Sequence, residues 1–126
     1  MPQRTLELGD PYHCHCQKTA RLLSEKMGRE LVVAFQSRFG RAKWLGPATD
    51  AVLESLPGQG KKNIAIFAPG FSSDCLETRE ELAIRGKEQF EAGGGEKFAY
   101  LPCLNDSEIG MDLLEHLIRR ELSGWI

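Results

Sequence analysis

The chain has 126 residues, 41% of them hydrophobic and 27% charged, which fits one globular domain rather than two. Its formal charge of -2 lacks the basic excess of a nucleic-acid binder, so no nucleic-acid partner is expected. No apolar run approaches the ~20 residues that span a bilayer, and Met1-Pro2-Gln3-Arg4-Thr5-Leu6 is unlike a secretory leader, so a cytoplasmic setting is expected.

Helix and strand signals alternate along the chain. Ala20, Leu22, Leu23 and Met27 recur at helical spacing between Pro11 and Gly28, where glycine supplies a stop. Leu31-Val32-Val33-Ala34-Phe35 then reads as a buried parallel strand. A loop from Gln36 to Gly46 follows, closed by Trp44-Leu45-Gly46-Pro47. The segment Ala48 to Leu56 reads as a helix with Asp50 in its first turn, ending at Pro57-Gly58.

Ile64-Ala65-Ile66-Phe67-Ala68 is the second strand signal, terminated by Pro69-Gly70. A helix from about Asp74 to Ala92 stops at Gly93-Gly94-Gly95, and Phe98-Ala99-Tyr100-Leu101 is a third strand. Asp106 or Ser107 caps a last amphipathic helix whose expected buried side carries Met111, Leu114, Leu117 and Ile118. Such an alternation predicts an α/β fold, a parallel sheet flanked by helices on both faces. Ligands in these folds sit beyond the carboxyl ends of the strands, here Gln36-Ser37-Arg38, Pro69 to Asp74, and Pro102 to Asn105.

Asp74, Glu77 and Glu81 lie at i, i+3 and i+7, within a ~60° sector of one α-helical face, and Glu88 extends the stripe. A plain solvated acidic face has the same spacing. At the mouth of the expected crevice, however, such a row can accept protons in sequence or pass a divalent cation inward. Crowding of like charges is expected to raise these pKa values towards neutrality. Cys75 adjoins the row and reads either as a pocket residue or as a small buried hydrophobe.

Trp44 offers a flat surface to a flat ligand, or simply packs. Gln36, Ser37 and Arg38 follow the first strand, where Ser37 and Arg38 can hydrogen-bond a ligand carboxylate; an exposed salt bridge is the duller use of Arg38. His13-Cys14-His15-Cys16 has the look of a metal cluster, yet lacks further ligands at recognisable spacing. The four cysteines, Cys14, Cys16, Cys75 and Cys103, read as thiols or ligands rather than disulfides.

Together, Gly9-Asp10-Pro11-Tyr12, Phe35-Gln36-Ser37-Arg38, Trp44-Leu45-Gly46-Pro47, Pro69-Gly70-Phe71, Asp74-Cys75-Leu76-Glu77-Thr78 and Leu104-Asn105-Asp106 resemble the ferrochelatase family, of proteobacterial type. The resemblance implies a chelatase-like fold of two similar α/β halves with a porphyrin clamped between them. In that frame residues 1–126 form the C-terminal domain, and the N-terminal half is absent. It implies that Glu77 belongs to the metal-insertion centre, with Asp74 and Glu81 on the acidic path; Glu77 and Glu81 become the candidate metal contacts. It places Trp44 near the macrocycle and Ser37 near a propionate.

The implied reaction inserts ferrous iron into protoporphyrin IX to give protohaem, with iron as a substrate and no organic cofactor. Met1-Pro2-Gln3-Arg4 matches the end of a family segment whose essential histidine would fall just before residue 1. The isolated segment is therefore expected to be inactive and prone to self-association or homodimerisation. Three other readings remain open here. One is a chelatase for another tetrapyrrole or metal such as cobalt; another is a non-catalytic haem- or metal-binding module on His13 to Cys16. The last is an iron–sulfur cluster using Cys103 with cysteines from elsewhere.

Overall fold

The computed structural model describes residues 1–36, 38 and 40–125. Among them the sheet has two strands, β1 (Asn63–Ile66) and β2 (Lys97–Tyr100), which pair in parallel with Ile64 opposite Phe98 and Ile66 opposite Tyr100. Side chains alternate across each strand, so these four share the half-buried face while Ala65 and Ala99 lie on the exposed one. The architecture is α/β.

Helices follow the sequence signals closely at three places. After the short α1 (Gln3–Glu7), α2 runs Tyr12–Met27, its first N–H held by the Asp10 carboxylate at 2.8 Å. It stops at Gly28, whose φ of 63° is the left-handed conformation that glycine adopts without a Cβ clash. Helix α3 (Thr49–Ser55) runs into a 3₁₀ turn, Pro57–Gln59. At the far end α5 (Glu108–Glu121) starts at Ser107, whose hydroxyl accepts the Gly110 N–H at 3.2 Å.

The crossover between β1 and β2 differs from a simple α-helix. It consists of a π-helix, Glu77–Gly86, continued by α4, Lys87–Ala92. Its buried positions are Thr78, Leu82, Gly86 and Phe90, spaced by four throughout. On an α-helix each four-residue step drifts by about 40°, which would walk this stripe off the core. The wider winding of a π-helix, with its i→i+5 bonding, keeps the stripe on one side. Glu80 and Arg85, five apart, accordingly form an ion pair at 2.7 Å.

Leu53, Leu56 and Phe90 form the core, with Val52, Ile64, Ile66 and Phe98 packed around them. Two expectations need correction. Residues 31–35 do not form a strand: Phe35 makes one parallel bridge, to Ala48, and no ladder with β1. Nor is the apolar side of α5 buried, for Met111, Leu114 and Ile118 are 42–54% exposed and Gly110 is the one buried position of that helix. Neither Met111, Leu114 nor Ile118 joins the core, so the amphipathic pattern is present without a cover.

Gly95 sets the approach of β2 to the core, because a Cβ there would lie 2.2 Å from the fully buried Phe90 ring. Gly95→Ala is expected to cost about 1–3 kcal/mol through overpacking, seen as a lowered thermal midpoint.

Candidate functional site

The loops leaving the carboxyl ends of β1 and β2 are stitched together by one carboxylate. Asp74 Oδ1 accepts from Tyr100 Oη at 2.5 Å, Thr78 Oγ1 at 3.1 Å and the Cys103 N–H at 3.3 Å. Its Oδ2 accepts from Asn105 Nδ2 at 2.9 Å, with Arg79 more distant at 3.9 Å. The Asp74 N–H in turn donates to Asn105 Oδ1 at 2.8 Å, and Asn105 N–H donates to Ser72 O at 2.9 Å. The side chain of Asp74 is only 11% exposed.

This bonding reverses the pKa shift expected from crowding. Tyr100, then Asn105, hold the Asp74 carboxyl well below the usual carboxylate range, against the opposing effect of burial. Glu77 is also lowered, by a hydrogen bond from the Cys75 thiol and by its own backbone N–H. Donors stabilise the charged forms more than burial opposes them. Burial and the bond to Asp74 push Tyr100 up to about 12, and burial raises the Cys103 thiol.

Glu77 opens the π-helix, and Glu81 lies one turn on. Gln36 Nε2 spans the two, donating to Glu77 O at 2.9 Å and to Glu81 Oε2 at 3.5 Å. The amide expected to meet substrate thus anchors the helix in this structure. A cavity of about 200 Å³ beside it is lined by Gln36, Arg38, Asp50, Glu81, Arg85 and Gln89, among others. The lining continues from Glu81 through Arg85 and Gln89, again in steps of four. Glu88, which an α-helical stripe would place next, is exposed and absent from this wall.

Trp44 and Arg38 meet at a second, open groove of about 580 Å³, whose wall also includes Lys43, Leu45 and Ala48. Trp44 is held there by an antiparallel bridge to Pro2, flanked by Gln3 N–H to Lys43 O at 2.8 Å and Leu45 N–H to Met1 O at 3.0 Å. Arg38 pairs with Asp50 at 2.5 Å on the surface, with 54% and 44% of the two side chains exposed. Ser37 lies outside the described residues.

The cysteine and histidine run is spread around α2. His13 packs against the Phe35 ring at 5.6 Å between centroids, while Cys14 and His15 are exposed. Among the described residues, no three His, Cys, Asp or Glu side chains are arranged to hold a metal ion. No helix among them is long and apolar enough to cross a membrane.

Tyr100, Thr78 and Asn105 were not candidates on sequence grounds. Thr78 bonds Asp74 across four residues, whereas the Tyr100 and Asn105 contacts are long-range. The stability that the Asp74 bonds contribute is complete above its ordinary value of 3.8 and is lost as pH falls below it, because the unfolded chain takes up the proton first. Thermal melts followed by circular dichroism should show the midpoint falling from about pH 5 to about pH 3, and falling less for Asp74→Asn.

Comparison with known proteins supplies the context of this geometry. The Ferrochelatase family model matches residues 1–122. The chain is 57% identical over 129 aligned positions to a ferrochelatase of Rhizobium meliloti (strain 1021) and 55% identical to one of Agrobacterium fabrum. A ferrochelatase of Methylibium petroleiphilum is 51% identical over 128 positions. All or nearly all of the chain is covered in each match, but the chain spans only 38%, 38% and 35% of these relatives' own lengths. With the family model matched over nearly its whole length, the chain belongs to the ferrochelatase family.

Proposed function

We propose that this chain is the C-terminal part of an enzyme that inserts ferrous iron into protoporphyrin IX, yielding protohaem. One observation carries the reading: relatives that are ferrochelatases match the chain from end to end at more than half identity. The arrangement at the strand ends supports it. Substrate protons must leave the pyrrole nitrogens as iron enters, and an ionised carboxylate is the form able to take one. Glu77 is the candidate for this. The Cys75 thiol and its own N–H hold its charge, which favours drawing in a cation and makes it a weaker proton acceptor than a raised carboxyl would be.

In this reading Glu77 and Glu81, one π-turn apart, attract the ferrous ion and take up a displaced proton. Asp74 anchors the entrance. Trp44 supplies an apolar plane for the macrocycle, while Ser37 and Arg38 are the candidate contacts for its propionates. Gln36 holds the helix bearing the two glutamates. Distortion of the bound macrocycle towards the metallated geometry lowers the barrier. The reaction needs no organic cofactor, and the setting is cytoplasmic. The remaining share of the enzyme contributes the histidine that works opposite Glu77, so the segment alone binds porphyrin without metallating it.

Two experiments test this. In the full-length enzyme Glu77→Gln should lower the metallation rate by at least ~100-fold while porphyrin affinity stays within a few-fold; near-normal turnover would remove Glu77 from the centre. For the 126-residue chain itself, an anaerobic titration should shift the protoporphyrin Soret band, and ferrous iron added afterwards should produce no protohaem above the protein-free rate.

The exposed apolar side of α5, with Ile109 75% and Trp125 86% exposed near its ends, supports a covering partner in the complete enzyme. Alone, the chain should self-associate at high concentration. A monodisperse monomer in sedimentation equilibrium would count against that expectation.

A further inference from the structure

We infer that Asn105 is a positioning residue for the metal-insertion centre: it grips Asp74 by backbone and carboxylate together, and so sets where the π-helix carrying Glu77 begins. The inference rests on the role proposed above for Glu77. Its basis is a set of bonds that one short amide alone can make. Asn105 Oδ1 accepts the Asp74 N–H at 2.8 Å, and Nδ2 donates to Asp74 Oδ2 at 2.9 Å and to Cys103 O at 3.1 Å. An aspartate could not donate to Asp74, and a glutamine would carry the same atoms one carbon too far.

The backbone is adapted to the same end. Asn105 has a φ of 51°, the left-handed conformation that asparagine tolerates better than most residues. Its own N–H is fixed to Ser72 O at 2.9 Å, so the loop after β2 meets the loop after β1 at Ser72 as well as at Asp74. From Asp74 the constraint passes into the helix. Thr78 Oγ1 donates to Asp74 Oδ1 at 3.1 Å and accepts the Cys75 N–H at 2.9 Å, and Glu77 lies within that turn.

Asp74 itself is not placed to serve as a relay. Both of its oxygens are engaged, Oδ1 by three donors and Oδ2 by Asn105. It transmits position. A shift of about 1 Å at a reacting group can cost on the order of 100-fold in rate, so a modest loosening at Asp74 is enough to matter at Glu77.

Asn105→Gly and Asn105→Ala separate the possibilities, since glycine keeps the left-handed backbone and loses only the amide. In the full-length enzyme both should lower kcat by roughly 10- to 100-fold with KM for porphyrin within about two-fold. In the 126-residue chain, hydrogen exchange of the amides from 76 to 82 should speed up while those of Leu53 and Phe90 keep their protection. Unchanged kcat in Asn105→Gly would overturn the inference. So would a loss of activity that tracks the folded fraction, with helix and core amides losing protection together. Glu77→Gln run in parallel distinguishes the two levels. If Glu77→Gln stays active, the proposed centre fails; if it is dead while Asn105→Gly is normal, only the role of Asn105 fails.

Discussion

The Asp74 carboxylate is the constraint on which the rest of the site depends. Four side-chain or backbone donors within 3.3 Å converge on it, from β2, from the loop beyond β2 and from the helix that follows. A parallel two-stranded sheet has no ladder beyond its last pair, Ile66 opposite Tyr100, to hold the departing loops. Asp74 takes over where the ladder ends. Its charge strengthens each bond, since hydrogen bonds to an ionised acceptor are roughly twice as strong as neutral ones.

The winding of the next helix follows from its packing. Thr78 and Phe90 are fully buried, with Leu82 at 3% exposure between them, and these positions are four residues apart or a multiple of four. Winding with more residues per turn than 3.6 over Glu77–Gly86 keeps Thr78, Leu82 and Gly86 in one file that leads into Phe90. The same winding groups Glu77 with Glu81 and carries the cavity wall on to Arg85 and Gln89. Core packing on one side of the helix therefore decides which charged groups share the other side.

That link explains what the sequence made legible and what it did not. Local signals were read well. Gly28 ends α2, Ser107 caps α5, and the apolar runs Ile64 to Ala68 and Phe98 to Leu101 fall on the two strands, overrunning their ends by two residues and one. Apolar runs stopping at Pro69 and Pro102 mark where the two strands give way to the loops that Asp74 joins, while the cavity wall lies further along, from Gln36 to Gln89. A 3.6 period puts Glu88 in line with Glu77 and Glu81, whereas the π-winding brings Arg85 to that wall. Asn105 and Tyr100 were missed since their contacts span 31 and 26 residues, and no local pattern encodes them. Residues 31–35 have the composition of a strand, but a strand is made by a neighbour, and among the described residues Phe35 bridges to Ala48 without a ladder. Similarly, the α5 pattern tells which side is apolar and not whether anything lies on it.

The three carboxylates that look equivalent in sequence are therefore unequal in the fold. Asp74 is bonded on both oxygens and held by Tyr100 and Asn105; it is structural in effect. Glu77 has a lighter set, the Cys75 thiol and its own N–H, which stabilise its charge without closing it in. Glu81 meets the Gln36 amide at the longer distance of 3.5 Å and faces a cavity shared with Arg38 and Arg85. Hydrogen bonding is thus denser on Asp74 than on Glu77. The position of Glu77 is fixed by its firmly held neighbour, while its own charge keeps a lighter set of donors.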